Sequence, residues 1–119
     1  MYRIPVEFKL PDLSGEEITQ LKVGQFDIQF SIGLASFSIS SPIKLFRSGM
    51  LIGKWEEDSW PDHGFKSILN VAVTGYEVRN DQLLVIGFSG GIEMHITDNS
   101  DQYESFQINI VGQSESWIV

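Results

Sequence analysis

The sequence predicts an α+β domain, made predominantly of antiparallel sheet in hairpins and a meander, with one or two short helices. Apolar residues alternate with polar ones along several short runs, which is the period of a half-buried strand. Glycine-containing turns separate these runs at the spacing of hairpins. A chain of 119 residues is long enough to bury a core without disulfides, so we expect a single globular domain over residues 1–119.

The first predicted element is a short helix that begins at Ser14 and extends to about Lys22. Ser14 and Glu17 have the spacing of a capping box, in which each residue satisfies a backbone amide of the other. Leu13 can pack on Ile18 as a hydrophobic staple. These features together favour a helix ahead of the first strand.

The next segment predicts a hairpin. Four apolar residues share one face of its first strand: Phe26, Ile28, Phe30 and Ile32. A four-residue loop over residues 33–36 leads into the second strand. This loop keeps the apolar residues together, and the expected pairs are Ile32 with Phe37 and Phe30 with Ile39.

Two further strands are predicted over residues 43–46 and 50–55, joined by a turn at residues 47–49. Residues 56–64 are polar and contain Pro and Gly, so they predict the main surface loop.

Residues 65–73 fit either a short helix or a strand, because periodicity does not separate the two over so few residues. We favour a helical turn that leads into a strand over residues 71–78. Asn80 and Asp81 are typical of a turn before the following strand.

The most regular pattern is the hairpin over residues 83–97. A two-residue loop would place Phe88 opposite the polar Glu93. A three-residue loop over residues 89–91 instead pairs apolar with apolar: Phe88 with Ile92, Ile86 with Met94 and Leu84 with Ile96. Gly91 then takes the left-handed conformation. Strands over residues 106–110 and 116–119 complete the prediction.

Charge and composition exclude several functions. Sixteen Asp and Glu against eight Lys and Arg give a formal net charge of -8, which repels nucleic-acid phosphates. Without cysteine the chain has no disulfide and no thiolate ligand for zinc. We expect a cytoplasmic protein with no membrane contact, because the first residues lack the apolar run of a signal peptide and no run approaches the roughly 18 residues of a membrane span.

Catalytic and metal motifs are present only in fragments. Residues 87–91 match G-x-S-x-G, but a strand follows Ser89 where the nucleophile elbow requires a helix. Residues 98–104 alternate oxygen ligands, but the EF-hand template requires Gly where Tyr103 stands. His95 and Glu93 share a strand face, and His63 is distant from them in sequence. We predict no catalytic activity, no metal and no cofactor.

The loop that follows residue 55 is the preferred functional feature. Two tryptophans, Trp55 and Trp60, flank three acids and precede a fourth: Glu56, Glu57, Asp58 and Asp62. Aromatic anchors ringed by charge are typical of protein interfaces. The alternative is that Trp55 packs in the core and Trp60 caps it. A second acidic patch is predicted at Asp98, Asp101 and Glu104.

The segment Tyr103-Glu104-Ser105-Phe106-Gln107-Ile108 resembles a strand found in a group of small bacterial proteins, where it follows a β-hairpin. Some members of this group resemble immunity proteins of bacterial toxin systems. The resemblance covers about residues 83–119. It implies an α+β domain without catalysis that binds and blocks a cognate toxin domain, and the acidic charge suits a basic partner.

The sequence therefore predicts a non-catalytic protein-binding module, an immunity-type inhibitor in its most specific form. One alternative is a β domain that binds a small ligand or acts as an enzyme through an acid and His95; it requires a deep, largely apolar pocket. Another is a structural homodimer that pairs exposed strand edges, with residues 116–119 as the candidate edge.

Overall fold

A computed structural model describes residues 3–98, 105–113 and 116–119. In these ranges the chain forms ten strands and one 3-10 helix, His63–Ile68. The strands are β1 (Lys22–Val23), β2 (Ile28–Ile32), β3 (Ala35–Ile39), β4 (Ile43–Arg47), β5 (Met50–Trp55), β6 (Val73–Asn80), β7 (Leu83–Phe88), β8 (Ile92–Thr97), β9 (Phe106–Ile110) and β10 (Trp117–Ile118).

The strands form two five-stranded antiparallel sheets, in the orders β1-β2-β3-β9-β10 and β5-β4-β8-β7-β6. Alternate residues of both sheets enter one hydrophobic core, so the sheets pack as a sandwich. Phe37 and Phe106 enter it from the first sheet, and Leu45 and Met94 from the second. The predicted antiparallel structure is confirmed, whereas the α+β assignment is not, because the described helix is a single short 3-10 segment.

The β7-β8 hairpin has the predicted register, with Phe88 opposite Ile92 and Ile86 opposite Met94. All four side chains are buried, which explains why this register is favoured over one that buries polar groups. Gly91 adopts the predicted left-handed conformation at φ 80°.

The β2-β3 hairpin differs from the prediction. Its loop contains two residues rather than four, and Phe30 lies opposite Phe37, with the two rings stacked at a centroid distance of 4.9 Å. Gly33 has φ 55°, as the first position of a mirror-image hairpin turn requires. Phe26 was also assigned wrongly: it precedes β2 in a turn and is 59% exposed.

The helix predicted after Ser14 does not form. The Asp12 carboxylate accepts hydrogen bonds from the amide and the hydroxyl of Ser14, so the expected cap closes a turn instead. The carbonyl of Ile18 accepts a hydrogen bond from the amide of Asn70, which a continuous helix would not permit. Leu13 and Ile18 are nevertheless buried, so only their apolar character was predicted correctly.

The ambiguous residues 65–73 contain the end of the 3-10 helix and the start of β6, close to the favoured prediction. Two long-range pairings, β3 with β9 and β4 with β8, join hairpins that are distant in sequence. Among the described residues, no helix has the length and apolar character needed to cross a membrane.

Candidate functional site

The candidate site lies at the end of the sandwich where β5 finishes. Trp60 is 79% exposed there, five residues after the buried end of the strand. Four acids of the same loop, Glu56, Glu57, Asp58 and Asp62, are also exposed. We call residues 56–62 the Trp60 loop. It combines a large apolar ring with a negative rim.

Hydrogen bonds from Trp55, from Lys54 and within the loop give the Trp60 loop a defined shape. The buried Trp55 donates its indole N–H to the carbonyl oxygen of Ser59 at 3.1 Å. The Ser59 hydroxyl donates to the carbonyl oxygen of Glu56 at 2.6 Å. At the far end of the loop, Asp62 Oδ2 accepts from the amide of Lys54 at 3.1 Å. Trp60 is thus held between two fixed points.

A second contact joins the Trp60 loop to the turn before β2. The amide of Asp58 donates to the carbonyl oxygen of Gln25 at 2.6 Å, and the Gln25 side-chain amide donates to Asp58 Oδ1 at 3.3 Å. Asp58 has φ 64°, a left-handed conformation that aspartate tolerates better than most residues. Because Phe26 follows Gln25, this contact places a second exposed aromatic residue at the same end of the molecule.

Trp60 forms part of the wall of two grooves. One groove, of about 290 Å³, lies between the Trp60 loop and residues 23–25. The other, of about 480 Å³, lies over the ends of β4, β5 and β8, where Lys44, Lys54 and Thr97 line it. Glu56 and Asp62 also line this larger groove.

The four remaining predicted site residues are Trp55, Asp98, Asp101 and Glu104. Trp55 is 1% exposed and belongs to the core, so its predicted role as a surface anchor does not hold and the alternative placement of its ring is correct. Asp98 is fully buried, where it accepts from Arg3 at 3.0 Å and from Ser105 at 2.6 Å, so it does not form the predicted surface patch. Asp101 and Glu104 lie outside the described residues.

The sequence analysis missed Phe26 as a surface residue. Glycine and glutamine immediately before it, together with Asp27 after it, form a polar cluster that is typical of a turn. That signal would have placed Phe26 ahead of the strand. The alternating pattern concealed it, because Phe26 continues the spacing of Ile28 and Phe30.

A second polar cluster lies on the outer face of the second sheet. Glu93 contacts both His95 Nε2 and Arg79 Nη2 at 3.0 Å, and Arg79 Nε lies 2.6 Å from Glu77. The hydrogen bond from His95 is the main cause that lowers the pKa of Glu93, and Arg79 adds to it. The adjacent groove, of about 250 Å³, includes Glu93 but not His95. This groove is a shallow depression in the sheet surface.

No group of three or more His, Asp or Glu side chains converges as a metal site within the described parts of the chain. Asp98, the first residue of the calcium-like segment, accepts hydrogen bonds from Arg3 and Ser105.

No protein-family model, no curated protein and no solved structure shows a significant match to the chain.

Proposed function

We propose that the protein is a non-catalytic protein-binding module and that the Trp60 loop is its contact surface. The observation that carries this proposal is the 79% exposure of Trp60 on a loop held by one hydrogen bond from the buried Trp55 and by a second within the loop. Tryptophan is enriched among the residues that dominate binding energy. A loop that is already ordered loses less conformational entropy on binding, which favours affinity.

The acids around Trp60 indicate the charge of the partner. Glu56, Glu57 and Asp58 are consecutive and exposed, and Asp62 follows close by. A negative rim accelerates encounter with a basic surface and discourages acidic partners. The proposed partner is therefore a protein with a basic patch around an apolar cavity that receives Trp60. Phe26 extends the apolar contact toward the first sheet.

The most specific form of this proposal is an immunity-type inhibitor that covers a basic toxin domain. It is supported by the resemblance of residues 103–108 and by the net charge of -8. A domain of this kind acts by occupying a surface of the toxin, so it requires no catalytic group.

Affinity capture from the native cell, followed by binding measurements with the purified captured protein, tests the proposal. Trp60→Ala removes the anchor. Met50→Ala is its matched control, because Met50 is 74% exposed at the opposite end of β5. We expect Trp60→Ala to weaken binding at least about 30-fold and Met50→Ala to leave it unchanged. Equal affinities for the two variants would refute the proposed surface.

A charge series separates steering from net charge. The triple variant Glu56→Gln, Glu57→Gln, Asp58→Asn removes three rim charges and keeps a residue that tolerates the left-handed conformation at position 58. The control triple removes three exposed acids elsewhere: Glu7→Gln, Glu16→Gln and Glu17→Gln. We expect the rim triple alone to slow association, with a difference that shrinks as salt increases. Equal slowing by both triples would refute a local role for the rim.

A further inference from the structure

We propose that the larger groove beside Trp60 is a binding site for a carboxylate carried on a flat apolar body. This groove has a volume of about 480 Å³, within the range of small-molecule sites. The inference goes beyond the proposed function, because it concerns a carboxylate bound in the groove and not the contact of the acidic rim with a basic surface.

The cations of the groove come from neighbouring strands. The register of β4 and β5 places Lys44 directly opposite Lys54, and both line the groove. Like charges at directly opposed positions repel each other and destabilise a sheet. An anion between the two ammonium groups would relieve this repulsion.

Neither lysine has an acidic partner in the described part of the chain, although the protein carries twice as many acids as bases. Glu56 and Asp62 line the same groove without forming an ion pair with either lysine. Asp62 instead uses one carboxylate oxygen for the backbone amide of Lys54. Two cations therefore remain available to a ligand.

The remaining walls define the body of the ligand. Trp60 exposes most of its indole ring, and Pro42 and Ile43 supply apolar surface near it. A planar apolar group can stack on the indole while its carboxylate reaches the lysines. Thr97 adds one hydroxyl that can donate or accept a hydrogen bond.

Calorimetric titration with matched probes tests this site. The probes are 2-naphthoate and its neutral isostere 2-naphthamide, and an acetylated glycyl-phenylalanine dipeptide with a free or an amidated C terminus. We expect each acid to bind about ten-fold more tightly than its amide, as charge-assisted hydrogen bonds predict. If naphthoate binds more tightly than the peptide acid, the site is assigned to a free small acid. If the peptide acid binds more tightly, the site is assigned to a chain terminus.

The double variant Lys44→Gln, Lys54→Gln should lower the affinity for the acid about ten-fold. Its affinity for the amide should be unchanged. Lys66→Gln is the control, because Lys66 is exposed on the 3-10 helix outside the groove. The proposal would be overturned if neither acid bound, or if each acid bound no more tightly than its amide. It would also be overturned if the double variant and the control lowered the affinity for the acid equally. Glu57 and Asp58 do not line the groove, so replacing them separates this site from the protein-binding surface.

Discussion

The indole of Trp55 donates a hydrogen bond to the carbonyl oxygen of Ser59, and this bond connects the core of the sandwich to the Trp60 loop. Trp55 is 1% exposed and closes β5, whereas the next residue after Ser59 carries the most exposed aromatic ring that the structure describes. One tryptophan therefore positions the other. The fold presents Trp60 through a buried donor rather than through packing of Trp60 itself.

Trp55→Phe should destabilise the protein and loosen the Trp60 loop. It removes one hydrogen bond and leaves a smaller ring in the core, and we expect a loss of about 1–3 kcal/mol in the free energy of unfolding by urea. The amide of Asp58, bonded to Gln25, should exchange faster in the variant. Trp60→Phe is the control and should change stability by less than about 0.5 kcal/mol. Unchanged exchange at Asp58 in the Trp55 variant would show that the indole does not hold the loop.

Gly64→Ala should be strongly destabilising, because a β-carbon at Gly64 would lie 2.0 Å from the carbonyl oxygen of Ile52. The 3-10 helix must then move away from β5, at an expected cost of about 2–3 kcal/mol measured by urea unfolding. Gly53→Ala lies on the strand side of the same contact, where the nearest atom is 3.4 Å away, and should cost much less. Similar losses for the two variants would mean that the close approach is not the cause.

Asp98→Ala should cost about 2–4 kcal/mol of stability, because the fully buried carboxylate accepts hydrogen bonds from Arg3 and Ser105. Asp81→Ala, at an exposed position, is the control and should stay within about 0.5 kcal/mol. Urea unfolding of the two variants measures the difference. A loss at Asp98 no larger than that at Asp81 would show that the hydrogen bonds of the buried carboxylate add no stability.

The Glu93 contacts predict a pH dependence. His95 and Arg79 lower the pKa of Glu93 below its ordinary value of 4.5 in the folded protein. The resulting stabilisation is present above the pKa of the unfolded chain and is lost as the pH falls through the folded pKa. Wild type should therefore exceed Glu93→Gln in stability at pH 7, and the difference should decline below about pH 4.5. A difference that grows as the pH falls below about 4.5 would contradict this assignment of the charges.

The two predicted hairpins show what alternation in a sequence determines and what it leaves open. In the hairpin around residues 89–91, the competing register would pair Phe88 with Glu93. The cost of burying that polar group selects the observed register over it. In the hairpin after Ile32, the predicted and the observed registers both place apolar residues opposite each other. They differ by two residues, which leaves every side chain on the same face. The turn at Gly33 decides between them, and its conformation does not follow from alternation.

The candidate site was predictable only in part. The exposed acids and Trp60 followed from the composition of the loop, but the opposite burial of Trp55 and Trp60 did not, because both residues flank the same polar segment. The contact between Gln25 and Asp58 joins segments 33 residues apart in sequence. The pairing of Lys44 with Lys54 depends on a strand register that includes a bulge just after Leu45. Such juxtapositions arise from tertiary structure.

The most direct measurement of the central claim is the affinity of the purified captured partner for wild type and for Trp60→Ala, with the urea stability of both chains measured in parallel. We expect the variant to bind at least about 30-fold more weakly, as the loss of a dominant aromatic anchor predicts, with its stability within about 0.5 kcal/mol of wild type. Equal affinity of the two chains for the partner would show that Trp60 is not the anchor.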